Sequence, residues 1–404
     1  MKYFLGIIIY LFLIFYNIIY HYVPFGNYAD ELICLISIIL SLLKILKTKP
    51  KIVKKSNNIK IITYSFILFT IGMISTVTNN YVYNNLIIIK DIMLTFKFPI
   101  TYICLTYLLK NYHSTLLKKY LIKTSKILLI IIFIFGIISL FFNIGMGSSI
   151  RHGIRSYQFI YSHYTYLVFN TIVLLSAIMS ENKKNYIYSF MGILTLIFTM
   201  RTKGFMFIAI YLIFLFLDKL KNIEIKKILK FRYMVPITII LLAIASFKIK
   251  QYMSWGFNYN LRNGLYLNGL KIAIDHFPFG SGFGTFATNI SYNISPLYKI
   301  YNMLGYQGFS GNTTTPMSDV YWPSIYAQFG FIGLIIFIDI LILIFKDIIN
   351  NTNNSRIVNS CILILIYLII ASLAEASFSN ETGVFSVVYI CIFKCFYDHK
   401  GENK

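Results

Sequence analysis

Four of the six arginines in this chain, Arg151, Arg155, Arg201 and Arg262, lie in segments that join apolar runs on the side where lysine is scarce. A guanidinium is planar and permanently charged, and it grips phosphate through two parallel N–H bonds. A group of them points to an anionic ligand. Nearby stand side chains that could take a proton from a hydroxyl: Asp319, ahead of Tyr321-Trp322-Pro323, His163 in Ser162-His163-Tyr164, and His276 after Asp275. Proton transfer requires such an acceptor within hydrogen-bond reach. Each has an ordinary alternative. Asp319 can cap a helix that Pro323 opens. His276 ends an apolar helix, where a structural role is the stronger reading. Arg201 can be an interfacial side chain reaching for the headgroups. Acids on the same side, Asp30, Glu31, Asp275, Asp319, Glu375 and Glu381, are scattered, with no Asp-x-Asp pair. A Mg²⁺-dependent nucleotide-sugar enzyme needs paired carboxylates, so the expectation is no metal and no cofactor. The five cysteines have no metal-type spacing and read as small core residues.

The elements that must position these residues follow from hydropathy. Of 404 residues, 57% are hydrophobic and only 13% charged, with a mean hydropathy of +0.70. A soluble domain carries about 25% charged residues, so the chain reads as a polytopic membrane protein, and disorder, collagen and DNA binding are excluded. The net charge of +23 does not call for nucleic acid, because the lysines sit in short clusters between apolar runs. Runs near the ~20 residues that cross a bilayer occupy 3–20, 29–46, 61–79, 86–109, 127–146, 164–180, 186–200, 204–217, 233–248, 323–345, 357–374 and 384–397. This predicts about twelve transmembrane helices. Met1-Lys2-Tyr3 leads into the first run with no small-residue cleavage site, which reads as a helix rather than a signal peptide. With the N-terminus inside, 26 of 37 cationic residues fall on the cytoplasmic side and nine outside, so the positive-inside rule fixes the orientation with both termini cytoplasmic. Topology alone would send arginine and lysine to the same side, yet only five of 31 lysines accompany the four external arginines.

The chain divides into helices 1–9 (1–248), one large external loop (249–322), and helices 10–12 with a short tail (323–404). The loop is rich in aromatic residues and poor in charge, which favours order. Helical periodicity over 262–276 is stopped by Phe277-Pro278. Gly280-Ser281-Gly282-Phe283-Gly284 follows, better read as a structural turn than a nucleotide loop, because no strand precedes it. Lys90, Asp91 and Lys97 fall within one span and Asp339 within another, where ionisable groups are functional candidates by default.

Three segments carry a resemblance. They are Thr199-Met200-Arg201-Thr202-Lys203-Gly204; Arg262 through Asp275-His276-Phe277-Pro278-Phe279-Gly280-Ser281-Gly282-Phe283-Gly284; and Ser318-Asp319-Val320-Tyr321-Trp322 followed by Gln328-Phe329-Gly330-Phe331-Ile332-Gly333. Their order and placement resemble the O-antigen polymerase and ligase family of bacterial envelope glycosyltransferases, over roughly residues 145–345. The resemblance implies an all-α GT-C-like bundle in the bacterial cytoplasmic membrane. It implies transfer of a glycan from a polyprenyl-diphosphate-linked oligosaccharide at the outer face. A flippase and a chain-length regulator are then expected partners, and nucleic acid is not. Arg201, Asp319 and His163 would be catalytic. Arg262, Arg155, Arg151, Lys203, His276 and Tyr321 would hold diphosphate or glycan. The ligase branch carries His-Asn where this chain has Ser318-Asp319, which favours polymerase and leaves open whether Asp319 replaces that histidine.

Overall fold

The computed structural model describes residues 2–20, 22–23, 26–48, 56–147, 149–151, 153–181, 185–219, 261–292, 295–306, 320–350, 352 and 354–396. The described part is a helical membrane protein. Its helices are α1 (Lys2–Ile19), α2 (Ala29–Thr48), α3 (Asn57–Asn79), α4 (Asn85–Leu109), α5 (Thr115–Phe141), α6 (Tyr164–Met179), α7 (Tyr186–Phe198) and α8 (Thr202–Lys219). They continue with α9 (Leu261–Asp275), α10 (Leu297–Ile300), α11 (Trp322–Asn350), α12 (Ser355–Ser372) and α13 (Glu381–Lys394). Eleven of the twelve expected runs fall on these helices; the twelfth, 233–248, lies outside the described residues. Among the described helices α3, α4, α5, α11 and α12 are long and apolar enough to cross a bilayer. The large loop is partly helical through α9 and α10, and the periodicity expected over 262–276 coincides with α9.

Starts are set by side chains that accept orphan N–H groups at helix N-termini. Ser56 accepts from Ile59, Asn84 from Leu86, Ser114 from Leu117, Asn354 from Arg356 and Asn380 from Thr382. The cap at Ser114 starts α5 twelve residues before the apolar run that begins at 127. The extra turns carry Lys118, Lys119, Lys123 and Lys126. Lysine is a good helix former, so apolarity alone underestimated this helix.

Burial sorts the helices into centre and rim. In α12 78% of the spanning window is buried inside the protein; in α5 it is 28%. Exposed Phe66 on α3, Leu86 on α4 and Ile131 on α5 belong to faces turned to lipid. Connections alternate cleanly between two ends. At one end the α5–α6 connection meets α1 through Ser162 N–H to Asn17 Oδ1 (2.8 Å) and α7 through Tyr157 N–H to Phe198 O (2.9 Å). Tyr166 on α6 meets Glu381 on α13, and Tyr81 meets His276 after α9. At the other end Ser114 N–H bonds Cys395 O, and Lys394 pairs with Asp347. Among the described residues, the α3–α4, α5–α6, α7–α8 and α12–α13 connections thus share one end, and the α4–α5 connection shares the other with the last turns of α11 and α13.

The loop is anchored by its glycine-rich turn. Ser281 N–H donates to Ala327 O (2.8 Å) and Gly282 N–H to Gln328 O (2.9 Å). These carbonyls are free because α11 breaks at Gly330, which sits at φ 67°, ψ −173°. Phe283 N–H donates to Thr76 Oγ1 and Gly284 N–H to Asp91 Oδ2, both at 2.8 Å. A Cβ at Gly330 would collide with the backbone of Pro278 and Gly280. Three of the intramembrane ions thus have distinct fates. Asp91 holds the turn. Lys97 pairs with Asp30 and Glu31 at the start of α2. Lys90, two turns nearer the α4 N-terminus, is exposed.

Candidate functional site

At the end bearing the loop, α6, α8 and α9 begin near one another, and the α12–α13 connection closes the group. Arg201 stands between α7 and α8. Thr199 ends α7, and Met200 adopts φ 50°, which turns the chain within three residues. Arg201 O then accepts from Gly204 N–H (2.9 Å) and Phe205 N–H (3.2 Å), starting α8. The guanidinium lies 4.1 Å from the centroid of the Tyr164 ring, a cation–π contact with the first residue of α6. Its Nε is buried with no hydrogen-bond partner among the described residues. Loss of water, and then Arg151, push its pKa down to about 10, against the pull of Tyr164 and Glu375. At neutral pH it remains a cation that carries donor capacity a ligand could use.

Lys203, in the first turn of α8, pairs with the Glu375 carboxylate from the α12–α13 connection. Arg262 in the first turn of α9 acts electrostatically on Lys203 and on Tyr266. That connection is tied to the loop at several points: Tyr266 OH to Leu373 O (3.0 Å), Trp322 Nε1 to Ser372 Oγ (2.9 Å) and Tyr321 N–H to Ser372 O (3.3 Å).

His163 caps α6. Its Nδ1 accepts from Thr165 N–H (3.3 Å) and lies 2.8 Å from Thr165 Oγ1. A backbone N–H can only donate, so the neutral ring carries its proton on Nε2. Desolvation, and then Arg201, Lys203 and Arg151, hold its pKa below the usual histidine range. In this geometry His163 offers an N–H rather than a free basic nitrogen.

The two arginines of the α5–α6 connection are separated by a small hairpin. Strands β1 (Ile150–Arg151) and β2 (Ile154–Arg155) pair Ile150 with Arg155 and Arg151 with Ile154. Side chains alternate faces along a strand, so Arg151 and Arg155 project oppositely. Arg151 is the one felt by Arg201 and His163. The Arg155 stem packs at Gly147.

The remaining candidates lie elsewhere. In His276, Nδ1 reaches Ile272 O (2.9 Å) and Nε2 meets Tyr81 OH (2.8 Å), so both nitrogens are engaged within the protein. Tyr321 is buried, its ring packed on Trp322, Phe337 and Phe378. Asp319 lies outside the described residues. Two partners escaped sequence reasoning. Glu375 stood among scattered acids, with nothing in Ala374-Glu375-Ala376 to single it out. Tyr164, beside His163, carried no signal in the sequence that it would meet Arg201.

The assembled group is Arg151, Arg201, Lys203, Arg262 and His163, with Glu375 as the acid paired to it among the described residues. Helix α8 adds the positive end of its dipole. Such a surface has the charge and the donors to suit an anion with several oxygens. Among the described residues no three His, Cys, Asp or Glu side chains come together as a metal cradle. Fold and site together define an all-α membrane protein with a basic cluster at one end. Compared with known proteins, the chain matches no family model and no curated protein.

Proposed function

We propose that this protein is a polysaccharide polymerase of the bacterial cytoplasmic membrane, using a polyprenyl-diphosphate-linked glycan as donor. The observation that carries the reading is the convergence of Arg151, Arg201 with Lys203, and Arg262, from three segments of the chain, beside the Lys203–Glu375 pair. A diphosphate presents the oxygens such a group selects, and it is already a good leaving group. In the reaction an acceptor hydroxyl oxygen bonds to the anomeric carbon while that carbon's bond to the diphosphate breaks. The electron pair leaves with the polyprenyl diphosphate, and the hydroxyl proton passes to a base. Arg201, with Arg151 and Arg262, stabilises the charge growing on the diphosphate. His163 donates Nε2–H to a phosphate or glycan oxygen, and Asp319 is the base by motif position. Lys203, paired with Glu375, adds positive charge beside the diphosphate. The resemblance supplies the glycan chemistry, and Ser318-Asp319 in place of His-Asn favours a second lipid-linked repeat unit as acceptor over a ligase's acceptor.

The second reading is a carrier that moves the lipid-linked oligosaccharide across the membrane, favoured by the break of α11 at Gly330, since broken helices recur in transporters. Deletion of the gene and gel analysis of surface polysaccharide separate the two. A polymerase loses long chains and keeps single repeat units at the surface. A carrier loses both, with units accumulating on the inner face. Unchanged chain lengths reject both.

A further inference from the structure

Helix α9 has one face against the protein and one that no described residue covers. Leu261, Leu265, Ile272 and Ala273 are buried on α11 and the loop core. The opposite edge carries Leu267, Leu270, Ile274 (62% exposed), Phe277 (70%) and Phe279. At 100° per residue Leu267, Leu270 and Ile274 fall on one stripe, with Lys271 and Asp275, both exposed, along one side of it, and exposed Phe277 and Phe279 follow in the turn beyond the helix end. A contiguous exposed apolar stripe requires an occupant.

The occupant follows from where the stripe leads. Ser75 Oγ donates to Phe279 O (2.8 Å) and Asn79 Nδ2 to Gly280 O (3.1 Å), fastening the end of the hairpin to the last turn of α3. Helix α3 is a span by length and composition, and its exposed Phe66, Ile74 and Val77 form its lipid-facing stripe. Ser75 and Asn79 lie on the side of α3 away from that stripe, so the bonds set depth: the exposed stripe of α9 ends level with the last turn of a spanning helix. The backbone of the turn is built for that setting. N–H groups of Ser281, Gly282, Phe283 and Gly284 all end on protein acceptors, as non-helical backbone must when water is excluded. Asp91, a carboxylate buried in α4, serves as one of them.

We infer that the hairpin of α9 and its glycine turn is seated in the adjoining lipid leaflet, apolar stripe in the acyl region and Lys271 and Asp275 at the headgroups. This is the amphipathic arrangement of an interfacial helix. It gives α9 two ends with different tasks. The C-terminal end grips lipid, while the N-terminal end carries Arg262 into the basic cluster, which fixes that arginine's height relative to the bilayer. The inference stands whether or not the cluster binds a diphosphate.

The test is tryptophan quenching in the full-length protein. Phe277→Trp and, separately, Ile274→Trp are reconstituted in phosphatidylcholine vesicles with plain or mid-chain-brominated lipid. Emission added over the parent protein is measured, with acrylamide as the aqueous quencher. Bromolipid should quench the added emission at least about threefold more than acrylamide. Tyr83→Trp, in the exposed α3–α4 connection, should show the reverse preference. Quenching of the two stripe variants by acrylamide alone would put the stripe in water. Quenching by neither would mean that a second copy or another protein covers it. Either result overturns the proposal.

Discussion

Replacing Arg201 by lysine keeps the charge and removes the fork. The guanidinium is held against Tyr164 at 4.1 Å, and its buried Nε has no partner among the described residues. With its pKa pushed down to about 10, only about one side chain in a thousand is neutral at pH 7, so protonation is not what the substitution changes. What changes is geometry. An ammonium cannot stack on Tyr164 and offer two parallel bonds to a phosphate at once. The lost cation–π contact is worth about 0.5–2 kcal/mol. A lost donor to charge developing in the transition state costs about 10²–10³ in rate. Arg201→Lys should therefore leave protein abundance near normal and reduce long-chain polysaccharide by about 10²-fold or more. The assay is polysaccharide length on gels beside a membrane blot. Normal polymer from Arg201→Lys would show that this arginine is an interfacial anchor, and the diphosphate reading would then have to rest on Arg262 and Arg151.

Four further outcomes are expected. Arg151→Ala should impair polymer formation far more than Arg155→Ala, because the hairpin turns the two side chains to opposite faces; equal effects in the same gel assay would reject that register. Glu375→Gln leaves Lys203 without its counter-charge and should lower thermal stability by about 1–3 kcal/mol, between the values for exposed and buried pairs, while anion affinity measured with pyrophosphate rises. Gly330→Ala should sharply reduce folded protein in detergent extracts, since a Cβ there meets the Pro278 backbone. His163 has a lowered folded pKa, so its contribution to stability is complete above the unfolded value near 6.5 and is lost as pH falls below it. Melting between pH 7.5 and 5.5 should thus drop more for the parent than for His163→Asn, which keeps a capping side chain without a titrating ring.

Helices were legible in the sequence wherever apolarity alone decides them, because a bilayer demands about 20 apolar residues per crossing. Legibility failed where another force sets the boundary. A serine cap and lysine-rich turns start α5 early. At Gly330 the docking of a distant turn breaks α11, and a single glycine in an apolar run gives no warning of it. The site was legible as a type bias: arginine on the side where lysine is scarce pointed to Arg151, Arg201 and Arg262, which the fold brings together. Which of Arg151 and Arg155 faces inward depends on a two-residue strand register that no periodicity reports. Glu375 was invisible because its meaning is entirely its contact with Lys203, 172 residues away. Internal hydrogen bonds to both ring nitrogens engage His276, and ring packing buries Tyr321, neither of which hydropathy resolves.

Helix α7 has 13 residues and α6 has 16; α7 ends, and α6 begins, at the basic cluster. Thirteen residues rise about 20 Å, against a hydrocarbon layer of about 30 Å. Exposed Ile187 and Phe190 give α7 an apolar outer face. Lipids against a crossing of that length would face a slab thinner than themselves, and a bilayer that relaxed by dimpling would do so at fractions of a kcal/mol per Å. A dimple lowers the phosphate plane toward the turn that holds Arg201. Membrane elasticity would then become part of recognition: a lipid whose headgroup tolerates descent reaches the guanidinium, and acyl-chain length in the surrounding membrane sets how far it must descend.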